Sequence, residues 1–149
     1  MTLDWKFSSF DELTAVELYA ILRLRNEVFV VEQNCVYQDA DNKDESSYHI
    51  SAWDGHTLAA YCRVLPPGLS YTEASIGRVV TAFNYRNTGS GRELMKKAVN
   101  FTRDHFGCKE ITISAQLYLE KFYESIGFKK VSSTYLEDNI PHIKMQLGV

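Results

Sequence analysis

Trp5, Phe7 and Ser9 alternate with Lys6 and Ser8, a two-residue period that predicts a short first strand. Thr14-Ala15-Val16-Glu17 then fits a capping box, in which the threonine oxygen and the glutamate carboxylate satisfy early amides of a helix. Leu18, Ile21, Leu22, Val28 and Phe29 continue at helical spacing, so this helix packs one face on a sheet. Residues 32–45 are polar and acid-rich and read as a long loop or a short irregular helix. Tyr48–Trp53 and Leu58–Leu65 are strand-like runs. Asp54-Gly55 between them is a two-residue hairpin signal, because both residues tolerate positive φ, and the strands should pair antiparallel. Pro66-Pro67-Gly68 stops the second strand, and Ala74–Phe83 supplies a third, with Gly77 suggesting a bulge or a close backbone approach.

A helix beginning near Arg92 places Leu94, Ala98, Phe101 and Thr102 on one face and ends before Gly107. Glu110–Ala115 is the next strand. It should lie parallel to 74–83 with a right-handed crossover, because one helix joins them. Gln116–Ser125 reads as a short helix closed by Gly127, and Phe128–Val131 and Ile140–Leu147 as closing strands. With no repeat, linker or low-complexity stretch, residues 1–149 are expected to form one domain. Its class is α/β (α+β), with a mixed, mostly antiparallel central sheet and helices on both faces.

The 149 residues are 45% hydrophobic and 23% charged, which is ordinary for a globular protein able to bury its own core. A net charge of −3 without a lysine or arginine run argues against nucleic acid as a partner. Cys35, Cys62 and Cys108 are odd in number and widely spaced, with no CxxC, so neither a disulfide framework nor a zinc or other metal site is expected. Reduced thiols, an N-terminus unlike a signal peptide and the lack of any ~18-residue apolar run point to a cytoplasmic protein away from the membrane. Oligomeric state is left open, a homodimer included.

The chemistry concentrates between the third strand and the helix that follows it. Arg86-Asn87-Thr88-Gly89-Ser90-Gly91-Arg92 joins them. The glycines let backbone N–H groups approach an anion, the helix start attracts negative charge, and two arginines flank the loop. It has no Gly-Lys-Ser/Thr, so it is not a P-loop, and no third glycine at Rossmann spacing. Two readings follow: a pyrophosphate cradle, or a simple strand-to-helix turn.

Taken with Phe122-Tyr123-Glu124-Ser125-Ile126-Gly127-Phe128, the loop resembles the Arg/Gln-x-x-Gly-x-Gly/Ala and F-Y-x-x-x-G-F motifs of the GNAT superfamily of N-acetyltransferases. The likeness spans nearly the whole chain. Leu24-Arg25, Val28–Gln33, Tyr37, Asp41, Ala115-Gln116 and Ile140–Met145 are similar to the ElaA-like branch. Asn87 stands where many members have glycine and tolerates left-handed geometry, and Gln116 stands where members often have an asparagine touching the cofactor.

The resemblance implies a GNAT-like fold and direct transfer of an acetyl group from acetyl-CoA, as cosubstrate, to a primary amine of a small molecule or peptide. It implies cofactor binding by Val79, Val80, Thr81, Arg86, Asn87, Thr88, Gly89, Ser90, Gly91, Arg92 and Gln116. Strand amides would pair with the pantetheine arm, and one in Val79–Thr81 would face the developing oxyanion. Tyr123 is implied as general acid. The attacking amine, with a pKa near ~10.4, needs a proton acceptor, and Glu32, Asp39, Asp41 and His142 are candidates. Glu32-Gln33 would line the acceptor pocket. Arg25 is expected to be an ion-paired structural residue, partnered by Asp41 or Asp44, and Cys35 has no nucleophile arrangement. A catalytically silent acyl-CoA sensor is the competing reading. A hydrolase or nucleotide binder lacks its Gly-x-Ser-x-Gly elbow or Walker lysine.

Overall fold

A computed structural model describes residues 2–149. β1 (Asp4–Ser9), β2 (Tyr48–Asp54), β3 (Thr57–Leu65) and β4 (Ser75–Thr81) form one antiparallel sheet in that order. β5 (Glu110–Gln116), β6 (Lys129–Lys130), β7 (Tyr135–Glu137) and β8 (Ile140–Gly148) form a second, in which β8 pairs with the other three.

Three helices cover these sheets. α1 (Ala15–Arg25) opens with the expected capping box, Thr14 Oγ1 accepting from the Glu17 amide at 3.1 Å and the Thr14 amide donating to Glu17 at 2.9 Å. It runs into a wide-turn π segment (Asn26–Glu32), continued by bonds from the Gln33 amide to the Val28 carbonyl and from Cys35 to Val30. The wider turn shifts which side chains face inward, a device common near functional sites. α2 (Ser90–Phe106) starts two residues before Arg92 and stops at Gly107, whose φ of 60° closes it. α3 (Glu120–Ile126) is closed by Gly127.

Alternation along β3 builds two cores on opposite faces of the first sheet. Ala60, Cys62 and Val64 pack with Leu94, Met95 and Ala98 of α2 and with Ile111, Ile113 and Met145 of the second sheet. Leu58 and Tyr61 pack with Ile21, Leu24 and Val28. Ala60 to Val64 follow the period-two rule of a doubly covered strand, and a bulge at Ala59, where Ala52 pairs with Ala60 but Trp53 with Leu58, brings Leu58 onto the face of Tyr61.

Four local features depart from expectation. The hairpin pairs Asp54 with Thr57, so its turn residues are Gly55-His56, one position later than Asp54-Gly55, and Gly55 takes φ 60°. The run 74–83 ends as a strand at Thr81 and turns through Phe83–Tyr85. β4 and β5 are parallel as expected, but they meet only at Ala74 and Ile111 among the described residues, where the Thr112 amide donates to the Ala74 carbonyl at 3.0 Å. Beyond that point they diverge and the sheet splits. Finally, β7 interrupts the stretch between the closing strands, joined to β8 by Asp138-Asn139 with φ 50° and 63°.

Candidate active site

The divergence of β4 from β5 opens a cleft of about 1120 Å³. β4 is paired with β3 on one side, so past Ala74 its other edge offers unpaired backbone groups to that space. The β3–β4 ladder also slips: Tyr61 pairs with Val80 and Arg63 with Gly77, leaving Arg78 and Val79 without ladder partners. The bulge expected at Gly77 is thus centred on its neighbours. Arg78, not glycine, carries the left-handed backbone, at φ 51°.

At one end of the cleft lies the Arg86–Arg92 loop. Asn87 and Gly89 adopt φ 62° and 83°, turning the chain so that Ser90 begins α2. The Thr88 hydroxyl donates to the Tyr85 carbonyl at 2.6 Å and lies 2.6 Å from Ser90 Oγ. A methyl at Gly91 would meet Thr81 Oγ1 at 3.5 Å and the Phe122 ring at 4.0 Å, so the first turn of α2 sits tightly on β4 and α3. Arg92 stacks over Phe122 and donates to Ser125 Oγ at 2.9 Å. Arg86 makes a two-pronged pair with Glu32, at 2.8 and 2.9 Å, and donates to the Thr81 carbonyl at 3.3 Å. The hydrogen bonds from Arg86 hold the Glu32 carboxyl below its ordinary range.

Tyr123 of α3 lines the same cleft with 6% of its surface exposed, edge-on to Phe122 and Phe128. Burial pushes its phenol well above the ordinary tyrosine range. Across from it, Gln33 and Gln116 bridge the cleft with reciprocal amide hydrogen bonds of 3.1 and 3.2 Å. The amide of Gln116 is therefore shared with the end of the π segment.

At the far end, His142 of β8 stacks on Tyr135, and its Nδ1 donates to the Ile140 carbonyl at 2.6 Å. That bond leaves Nε2 facing Glu137 Oε2 at 3.5 Å. Ser114 donates to Glu137 at 3.2 Å and bonds the Tyr135 hydroxyl. Cys35 donates to the Asp138 carbonyl at 3.3 Å, which ties the loop after the π segment to the β7–β8 turn.

Beneath this end the acid-rich loop forms a buried charge network. Arg25, fully buried, donates to Asp39 at 2.9 Å and to Asp44 at 2.8 Å. Its expected partner Asp44 is there, but Asp39 takes the place foreseen for Asp41. Asp41 instead receives Arg63 at 2.6 and 2.8 Å and Arg78 at 3.4 Å. Burial alone would raise the Asp41 and Asp44 carboxyls, yet the arginines drive both below the ordinary range. Three arginines and three aspartates balance, as buried charge requires. The sequence reading missed Arg63 and Arg78 as members. The available signal was an arginine in the middle of each of two apolar strands.

Glu32, Gln33, Asp41, Val79, Val80, Thr81, Arg86, Asn87, Gly89, Gly91, Arg92, Gln116, Tyr123 and His142 all line this cleft, whereas Thr88 and Ser90, whose hydroxyls turn onto each other, and Asp39, held by Arg25 and Arg78, do not. Among the described residues, no group of three or more His, Cys, Asp or Glu side chains is placed to hold a metal ion, and no helix is long and apolar enough to cross a membrane.

Residues 12–149 match the family model described as an acetyltransferase (GNAT) domain. The chain is 40% identical over 145 residues to the protein ElaA of Escherichia coli strain K12, covering 96% of this chain and 95% of that one. It is 40% identical over 147 residues to a UPF0039 protein of Schizosaccharomyces pombe, covering 97% of each. Among solved structures, an acyl-CoA N-acyltransferase from Pseudomonas aeruginosa superposes with a TM-score of 0.93 at 41% identity, over 98% of this chain and 99% of that one.

Proposed function

Because this chain belongs to the GNAT family of acyl-CoA N-acyltransferases and resembles its ElaA-like branch, we propose that it transfers an acetyl group from acetyl-CoA to a primary amine by direct attack on the thioester. The observation that carries this reading is a single continuous cleft. Its lining brings together a left-handed glycine loop at a helix start, a strand edge without a ladder partner and a buried phenol.

The residues present fit a coenzyme A ester. Gly89 leaves open space at the start of α2 and Arg92 supplies positive charge beside it, while Arg86 shares its charge with Glu32. The free edge of β4 can take up an extended amide-bearing arm as an added strand. The thioester supplies the acyl carbon and a thiolate leaving group. Val79–Thr81 supply the backbone N–H that faces the acyl oxygen as it gains charge.

Tyr123, protonated throughout the neutral range, donates to the departing sulfur. Of the four candidate proton acceptors, Asp39 and Asp41 are taken up by arginines, whereas His142 commits only Nδ1–H to Ile140 and leaves Nε2, beside Glu137, to meet the amine proton. Glu32 is engaged by Arg86, which makes it a weaker base and a clamp on the loop. With Cys35, Cys62 and Cys108 all unpaired, the chain suits a reducing compartment, and we place it in the cytoplasm.

The test is a panel of amines with acetyl-CoA, and with longer acyl-CoAs in parallel, followed by thiol release. Turnover with acetyl-CoA and one class of amine is the expected result. Faster turnover with longer chains would replace acetyl by acyl. Tight acetyl-CoA binding without thiol release in the presence of any amine would favour the sensor.

A further inference from the structure

We propose that Arg78 is a positioning residue that holds the β4 bulge in its transfer geometry, with Asp39 as the pivot. An arginine at φ 51° is unusual, because in the left-handed region its Cβ crowds the following carbonyl. Such a conformation persists only where the surroundings over-determine it.

They do so here through the side chain. Arg78 Nε donates to Asp39 Oδ1 at 2.9 Å, and Nη2 donates to the Asp39 carbonyl at 3.0 Å. Its guanidinium lies over the Tyr37 ring, and the Tyr37 hydroxyl donates to the same Asp39 oxygen at 2.6 Å. The other carboxylate oxygen of Asp39 receives Nε of Arg25, the last residue of α1 before the π segment begins. The bulge on the donor side and the helix on the acceptor side are thus tied to one buried carboxylate.

Without the clamp, a non-glycine residue at position 78 gains by relaxing to extended backbone. The ladder would then re-register, and the amides of Val79 and Val80 would turn. This inference rests on the reading of Val79–Thr81 as the segment facing the acyl oxygen.

The discriminating pair is Arg78→Ala against Arg78→Gly. Both lose the same ion pairs, so a role confined to those pairs lowers their turnover alike, whatever the left-handed strain adds to the loss of melting temperature in Arg78→Ala. If the side chain acts by holding φ, glycine, which needs no holding, restores what alanine loses. Arg78→Ala is expected to lose ~10-fold or more in kcat with donor KM changed less than ~3-fold, and Arg78→Gly to recover at least ~5-fold over alanine. Amide hydrogen exchange at Val79 and Val80 should follow the same order, fastest in Arg78→Ala. If alanine yields no folded protein, Arg78→Lys keeps the charge without the fork and carries the same expectation. Equal kcat and equal exchange in the two variants overturn the inference. Wild-type protein that turns over no amine overturns the transferase reading, and the exchange comparison then decides the role of Arg78 alone.

Discussion

Burial keeps the Tyr123 hydroxyl protonated well above neutral pH, so in its proposed role as donor to a departing thiolate it would stay loaded over the whole working range. Tyr123→Phe should lower kcat by ~10²-fold while leaving the donor dissociation constant within ~2-fold, because a group used only as charge develops in the transition state adds little to ground-state binding. Titration calorimetry beside steady-state kinetics reads both, and an unchanged kcat under chemistry-limited conditions would remove Tyr123 from the mechanism. A second prediction at this scale concerns Asp41 and Asp44. Their folded pKa values lie below the unfolded ones, so the stability they contribute is complete above pH ~4 and is lost as pH falls through the folded values. Melting temperature measured from pH 7 to pH 3 should fall most steeply below pH ~4, and Asp41→Asn should start lower and fall less. The identities of Tyr123 and His142 as site candidates were legible in the sequence because they sit beside recognisable motifs. Arg78 was not, since nothing in a ten-residue strand-like run says which position turns left-handed, and the adjacent Gly77 carries the more obvious signal.

Local signals wrote themselves into the elements wherever one short-range interaction decided the outcome. The Thr14–Glu17 box, the hairpin after Asp54 and the glycine stops at 107 and 127 are of this kind. Thr14→Ala removes the hydroxyl that accepts from the Glu17 amide and should cost ~1 kcal/mol, a fall of roughly 3 °C in melting temperature, which Thr14→Asp should largely restore. Elements set by long-range pairing were less legible. β7 has only three residues, two of them exposed, and exists because Tyr135 and Glu137 find His142 and Ile140 across a left-handed turn. The π segment likewise left no trace of its own, since Val28 and Phe29 suit a continuing α-helix equally well.

For the molecule as a whole, the expectation of an α/β fold with helices on both faces of a mostly antiparallel sheet describes what forms, but the splitting of its sheet follows from packing that no single segment encodes. That split makes the cleft, and donor binding should therefore stabilise the entire fold. At ~100 times its dissociation constant acetyl-CoA contributes ~2.7 kcal/mol to native stability, readable as a rise in melting temperature. Gly89→Glu should abolish the rise, because it strains φ 83° and sets a carboxylate where an anion is to bind. An intact protein whose melting point ignores acetyl-CoA would count against the donor site.

The meeting of β4 and β5 at Ala74 and Ile111 has a topological consequence. Every other strand pairing among the described residues lies wholly within 4–81 or wholly within 110–148. The chain is two sequence-contiguous halves, joined through Gly107-Cys108-Lys109 and held together by a shared apolar core. A nick in that connector would sever no ladder, so the two fragments, expressed apart, should reassemble by complementation around the cleft that lies between them.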